Sequence, residues 1–120
     1  MSEERDPTVL DARSIAIAAI NDIFRRTFHK RYGCVVMTCA VSALELEKQR
    51  LLIQTVQDQI VTDDGNDPYN EHDFGTVDLF GDRFFWKIDY YDKTMKYLSE
   101  DPRDIKATSR VLTIMYSSDY

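Results

Sequence analysis

Glycine and proline are scarce in this chain, 4 and 3 among 120 residues. That scarcity excludes collagen-like and low-complexity architectures, and with 43% hydrophobic and 30% charged residues the composition is that of a folded globular chain. No stretch approaches the ~20 consecutive apolar residues that a membrane span requires. The opening Met1-Ser2-Glu3-Glu4-Arg5-Asp6-Pro7 is acidic and lacks an apolar stretch, which predicts neither a secretory signal nor a transit peptide. Only two cysteines occur, Cys34 and Cys39. In an extended segment they would stand roughly 16 Å apart, beyond the ~7 Å between Cα atoms that a disulfide tolerates. Their spacing fits no zinc or thioredoxin-like pattern, so two buried, reduced thiols in a cytoplasmic protein are expected.

Catalytic signatures are missing as well. There is no Gly-x-Ser-x-Gly elbow and no glycine-rich phosphate loop, and nothing local supports a thiolate at Cys34 or Cys39 paired with His72. The calcium-loop template, counted from Asp63, meets Pro68 where it needs glycine and Phe74 where it needs glutamate. A nuclease hairpin with an acid on one strand and acid-x-Lys on the next is broken at Phe85, two before Lys87. The aromatic runs Phe84-Phe85-Trp86 and Tyr90-Tyr91 are interleaved only by Arg83 and Lys87, which favours core packing over a nucleic-acid stacking platform.

What is present outlines one domain. Residues 1–7 are expected to be flexible and 8–120 to form a single α+β unit. Asp6-Pro7 resembles a helix entrance. Leu10, Ile17, Ile20, Ile23, Phe24 and Phe28 recur at helical spacing, with Asp11, Arg13, Asn21, Asp22, Arg25 and Arg26 between them, which predicts a helix from Thr8 to Phe28. Cys34 to Thr38 reads as a short buried strand. Ser42-Ala43-Leu44-Glu45 matches a capping box ahead of a second helix, striped by Leu46, Ile53, Val56 and Ile60 and ending near Val61. Residues 62 to 73 form a long loop of turn formers. Gly81-Asp82 suits a two-residue type II′ turn, pairing Leu79 with Phe84, Val77 with Trp86 and Gly75 with Ile88. That register gathers Val77, Leu79, Phe84, Trp86 and Ile88 on one face, with Trp86 buried under a helix stripe drawn from Ile20, Phe24, Ile53 or Ile60. The run from Val111 to Tyr116 reads as a central strand, a helix over Ile105 to Tyr116 being the alternative. The expected architecture is two helices on one face of a small, mostly antiparallel sheet of about four strands.

The net charge of −6 is unevenly spread. Between Leu51 and Asp82 there is no Lys or Arg, while Asp58, Asp63, Asp64, Asp67, Glu71, Asp73, Asp78 and Asp82 give that segment −8. Such a surface repels phosphates, which disfavours direct nucleic-acid binding and favours a basic protein partner contacting Asp63, Asp64, Asp67, Glu71, Asp73 and Asp78. Arg25, Arg26, His29, Lys30 and Arg31 cluster at the end of the first helix, where cations complement its dipole. No cofactor is expected. The alternative is a metal-dependent hydrolase or nuclease, with a divalent ion held by Asp67, Glu71, His72 and Asp73, and Lys87 stabilising developing negative charge. No sequence feature fixes an oligomeric state.

Three runs carry a resemblance. Asn66-Asp67-Pro68-Tyr69-Asn70-Glu71-His72-Asp73-Phe74-Gly75, Phe85-Trp86-Lys87-Ile88-Asp89-Tyr90-Tyr91-Asp92 and Arg110-Val111-Leu112-Thr113-Ile114-Met115 follow one another in order. With Asn21-Asp22, Met37-Thr38 and Ser118-Asp119-Tyr120 they make the chain, from about Asn21 to Tyr120, resemble a family of short bacterial proteins classed as a domain of unknown function. Cys39 and Asn70 stand where that family's pattern has glycine. The resemblance implies a bacterial cytoplasmic protein met in genomes and plasmids and supplies no activity. An inhibitor of a mobile element that imitates nucleic-acid charge is one form the interaction module would take.

Overall fold

The computed structural model describes residues 12–61 and 69–120. The expected entrance at Asp6-Pro7, Leu10 and most of the acidic loop, with Asp63, Asp64 and Asp67, lie outside them. Helix α1 (Ala12–Thr27) is followed by strand β1 (Gly33–Met37), a single-turn helix α2 (Cys39–Ser42) and helix α3 (Leu46–Asp58). Strands β2 (Phe74–Leu79), β3 (Asp82–Tyr91) and β4 (Ser109–Tyr116) come next, and the chain closes on a 3-10 turn, Ser117–Asp119. The four strands are ordered β1-β4-β3-β2. β2, β3 and β4 pair antiparallel, and β1 joins β4 in parallel, so the α+β architecture is as expected, with one parallel pair.

Alternation puts Phe84, Trp86 and Ile88 of β3 on the same side as Leu112 and Ile114 of β4 and Val77 of β2, where Phe24 of α1 and Leu52 and Val56 of α3 complete the core. Phe85 points the other way and packs with Phe74 and Tyr120, ring centroids 5.0 and 5.5 Å from its own. The 105–116 segment is therefore strand from Ser109 onward, and it is central because it receives a strand on each side.

Both helix stripes differ from the expectation. In α1 the buried positions are Ser14, Ile17, Ala18, Asn21, Phe24 and Arg25, whereas Ile23 is exposed. The helix is rotated so that two strongly polar residues face inward. In α3 the buried residues are Leu52 and Val56, while Leu46 and Ile60 are exposed. Leu46 lies off their stripe in the first turn, and Ile60 falls beyond the last one. The Ser42 capping box does not form, because Ser42 ends α2 and Glu45 is the N-cap of α3 without a side-chain bond. Gln49 Nε2 instead donates to Ser42 O and Leu44 O at 2.9 and 2.8 Å, tying the two helices together. Cys34 and Cys39 are free, as expected, but exposed rather than buried. Cys34 alternates onto the side of β1 away from the helices, and Cys39 opens α2.

The hairpin register is displaced by two residues from the expected one. Leu79 pairs with Asp82, Val77 with Phe84 and Gly75 with Trp86, so the turn residues are Phe80 and Gly81. Both have positive φ, 59° and 78°, which defines a type I′ turn rather than type II′. Because the shift is even, every side chain keeps its predicted face. The physical reason lies at Gly75, where a Cβ would collide with the Trp86 indole. Only glycine opposite Trp86 leaves room for the indole against β2. Gly75→Ala is accordingly expected to destabilise the domain by roughly 1–3 kcal/mol through overpacking, read as a lower urea midpoint at unchanged slope.

Candidate functional site

The inward-facing polar residues of α1 begin a buried network. Asn21 Nδ2 lies 3.0 Å from the Glu71 carbonyl oxygen and 2.9 Å from the Tyr90 hydroxyl, and Asn21 Oδ1 accepts from Arg110 Nε at 2.6 Å. Arg110 is fully buried, donates from Nη2 to the Pro102 carbonyl at 2.6 Å and lies 5.2 Å from the Tyr90 ring centre. The Tyr90 hydroxyl donates to Glu71 Oε1 at 3.0 Å. Burial, then the Asp73 and Glu71 carboxylates, push that hydroxyl well above its ordinary value, so it stays protonated and serves as a donor. Burial likewise lowers Arg110 from its ordinary value, opposed by Tyr90 and Glu71.

One residue along, Asp22 carries a second network. His72 Nδ1 is 3.0 Å from both Asp22 oxygens, and Arg25 Nη2 is 3.4 Å from Oδ1. Arg25 is fully buried and donates from Nη1 to the Val56 and Gln57 carbonyls at 2.7 and 3.2 Å. Its guanidinium thus complements the C-terminal end of α3 rather than of its own helix. The same guanidinium lies 5.1 Å from the Trp86 ring centre, and Trp86 Nε1 donates to Gln59 Oε1 at 2.8 Å. Burial lowers Arg25 from its ordinary value while Asp22 opposes the shift.

Beside the first network, at the end of β3 not covered by β2, opens a cavity of about 350 Å³. Glu71, Asp73 and Asp89 contribute carboxylates to its wall, Tyr90 and Ser99 add polar groups, and Ile88, Leu98 and Pro102 make the apolar part. Arg13 is the one cation among the lining residues, and Lys87 grips Asp89 at 2.6 Å from outside.

The residues expected to form a site are therefore divided. Glu71 and Asp73 meet in this cavity, with Glu71 itself buried. His72 is turned to Asp22, its backbone at φ 58°, so it does not face the cavity wall with its sequence neighbours. Asp78 is exposed at the hairpin tip and held by Arg83 Nε at 2.9 Å, which draws its carboxyl below the usual value. Lys87 is opposite Phe74, four strand residues from Asp78's partner Arg83, or about 13 Å at ~3.3 Å per residue. It does not share a site with Asp78. Among the described residues no group of three or more metal-ligating side chains converges.

Asn21, Asp22, Arg25, Tyr90 and Arg110 were not anticipated as a cluster. Their signal lay in the heptad-like spacing of Ser14, Asn21 and Arg25 with Ile17 and Phe24, which places polar side chains inside an apolar stripe. Fold and site together define a small α+β domain organised around two buried arginines, with an acid-lined cavity at the sheet margin. The chain belongs to the family described as protein of unknown function (DUF3768), whose family model matches residues 37–119. That stretch holds Glu71, Tyr90 and Arg110, and begins after the helix that supplies Asn21 and Arg25. No curated protein and no solved structure matches the chain.

Proposed function

We propose that this protein is a non-enzymatic binding module that receives a basic side chain of a partner protein in the cavity beside Tyr90. The observation that carries this reading is the composition of the cavity wall: three carboxylates, Glu71, Asp73 and Asp89, against one lining cation, Arg13, with Ile88, Leu98 and Pro102 adjoining. A lysine or arginine needs that combination, apolar surface for its methylene stem and carboxylates for its head. The segment from Leu51 to Asp82, with eight acids and no Lys or Arg, adds to the long-range negative field that would steer a basic partner. An inhibitor presenting nucleic-acid-like charge to a basic protein is one concrete form, in a cytoplasmic bacterial setting.

Titrating the isotope-labelled protein with a blocked arginine amide is expected to shift the amide signals of residues 71–73, 88–90 and 98–101, with roughly millimolar affinity that falls as salt rises. Asp73→Asn with Asp89→Asn should remove those shifts. Shifts that were absent, scattered, or unchanged in the double variant would sink the reading. Calcium, magnesium, manganese and zinc are expected to leave the melting temperature in place. A rise that His72→Ala abolished would instead favour metal-dependent hydrolysis.

A further inference from the structure

The two edges of the sheet are finished differently. Along β2, Gln59 Nε2 donates to the Thr76 carbonyl at 2.6 Å, and exposed Asp78 sets a charge on the strand. Both are recognised ways of discouraging edge pairing. β1 has neither. Its five residues, Gly33-Cys34-Val35-Val36-Met37, include no charge and no proline, and among the described residues no strand lies beyond it. The Arg110 N–H bonds to Tyr32 O and the Thr38 N–H to Ile114 O, which fixes the phase of the parallel ladder. Residues 32, 34, 36 and 38 turn their backbone groups toward β4, so those of Gly33, Val35 and Met37 point outward. Cys34 is exposed and Val36 is 42% exposed, leaving an uncharged edge with two β-branched residues whose outward donors and acceptors meet no strand among the described residues.

The charges at its two ends indicate what pairs with it. The chain enters β1 from the exposed turn His29-Lys30-Arg31 and leaves at Thr38, whose Oγ1 donates to exposed Asp119 Oδ2 at 3.2 Å. An antiparallel partner strand identical to β1 would set the basic entrance of each copy beside the acidic exit of the other. We infer that β1 is a self-association edge, pairing antiparallel with β1 of a second copy about a two-fold axis at Val35, to join two four-stranded sheets into one. Gly33 of each copy then pairs with Met37 of the other, and Lys30 and Arg31 approach Asp119 twice by symmetry. This inference is independent of the acidic cavity, which lies at the far margin of the sheet, on β3.

Sedimentation equilibrium on the full chain is expected to give twice the 14.0 kDa chain mass at micromolar concentrations, with the Val35 amide protected from exchange only in the dimer. Val36→Lys alters an exposed side chain, so circular dichroism should be unchanged while the protein becomes a monomer. Arg31→Glu and Asp119→Lys should each weaken association by roughly tenfold, and the two together should restore it. The charge swap decides the matter if the lysine variant fails to fold. A monomer at every concentration, a dimer indifferent to Val36→Lys, or single charge reversals without the reciprocal rescue would each overturn the inference.

Discussion

Trp86→Ala is expected to leave a chain without a cooperative unfolding transition at physiological temperature. Trp86 is fully buried in the core that α1 and α3 close over β3, with the Arg25 guanidinium over its ring and Gln59 accepting its N–H. Truncation removes the largest side chain of the core and leaves a cavity, at about 3–5 kcal/mol. It also strips Arg25 of its aromatic partner. Domains of this size are stable by only about 5–15 kcal/mol, so the loss consumes much of the total. Native tryptophan emission should be blue-shifted and poorly quenched by iodide. Trp86→Phe separates the two contributions: it keeps most of the packing, loses the bond to Gln59, and should cost about 1–2 kcal/mol. Urea unfolding of the alanine variant within about 1 kcal/mol of the parent would show that the indole does not organise this core.

The second large effect is expected at Arg110. Arg110→Met keeps length and apolar volume but removes the donors that satisfy Asn21 Oδ1 and the Pro102 carbonyl, and it takes away the positive charge stacked on Tyr90. Unsatisfied buried acceptors cost about 1–3 kcal/mol each, and the buried Glu71 carboxylate loses a charge that opposes its burial, so a total of about 3–5 kcal/mol is expected. A double-mutant cycle with Asn21→Ala tests the attribution. Residues sharing one buried network should couple by about 1 kcal/mol or more. Strict additivity would mean that Arg110 acts through packing alone. Its effect on the cavity is expected to be indirect, since Asn21 and Arg110 hold Tyr90 and Glu71 in place. Asn21→Ala should therefore weaken binding of a blocked arginine even where the domain remains folded.

Much of the fold was legible because it depends on local periodicity. Strand alternation in β3 identified the buried face correctly even though the hairpin register was off by two, since an even shift preserves which side each residue occupies. The turn itself was misplaced because a two-residue loop with glycine second requires positive φ at Phe80, which a bulky residue seldom adopts. Here the Phe80 ring packs 6.3 Å from Phe84, and Lys48 Nζ lies 5.3 Å from its centre, contacts that no local pattern encodes. The acidic segment was visible as a charge run, yet the fold divides it: Glu71 and Asp73 line the cavity, whereas Asp78 is at the hairpin tip.

Composition and periodicity by themselves determined the class of fold, the buried face of the β2–β3 hairpin, and the concentration of acid between Leu51 and Asp82, because each depends on residue type and near neighbours in the chain. Tertiary structure alone decided the rotation of α1. Asn21 and Arg25 read as solvent-facing until Glu71, Tyr90, Arg110 and the end of α3 are brought to meet them, across sequence separations of 50, 69, 89 and 31 residues. A polar side chain is stable inside only when distant partners satisfy it, and those partners are assembled by the fold and not by the segment that carries it.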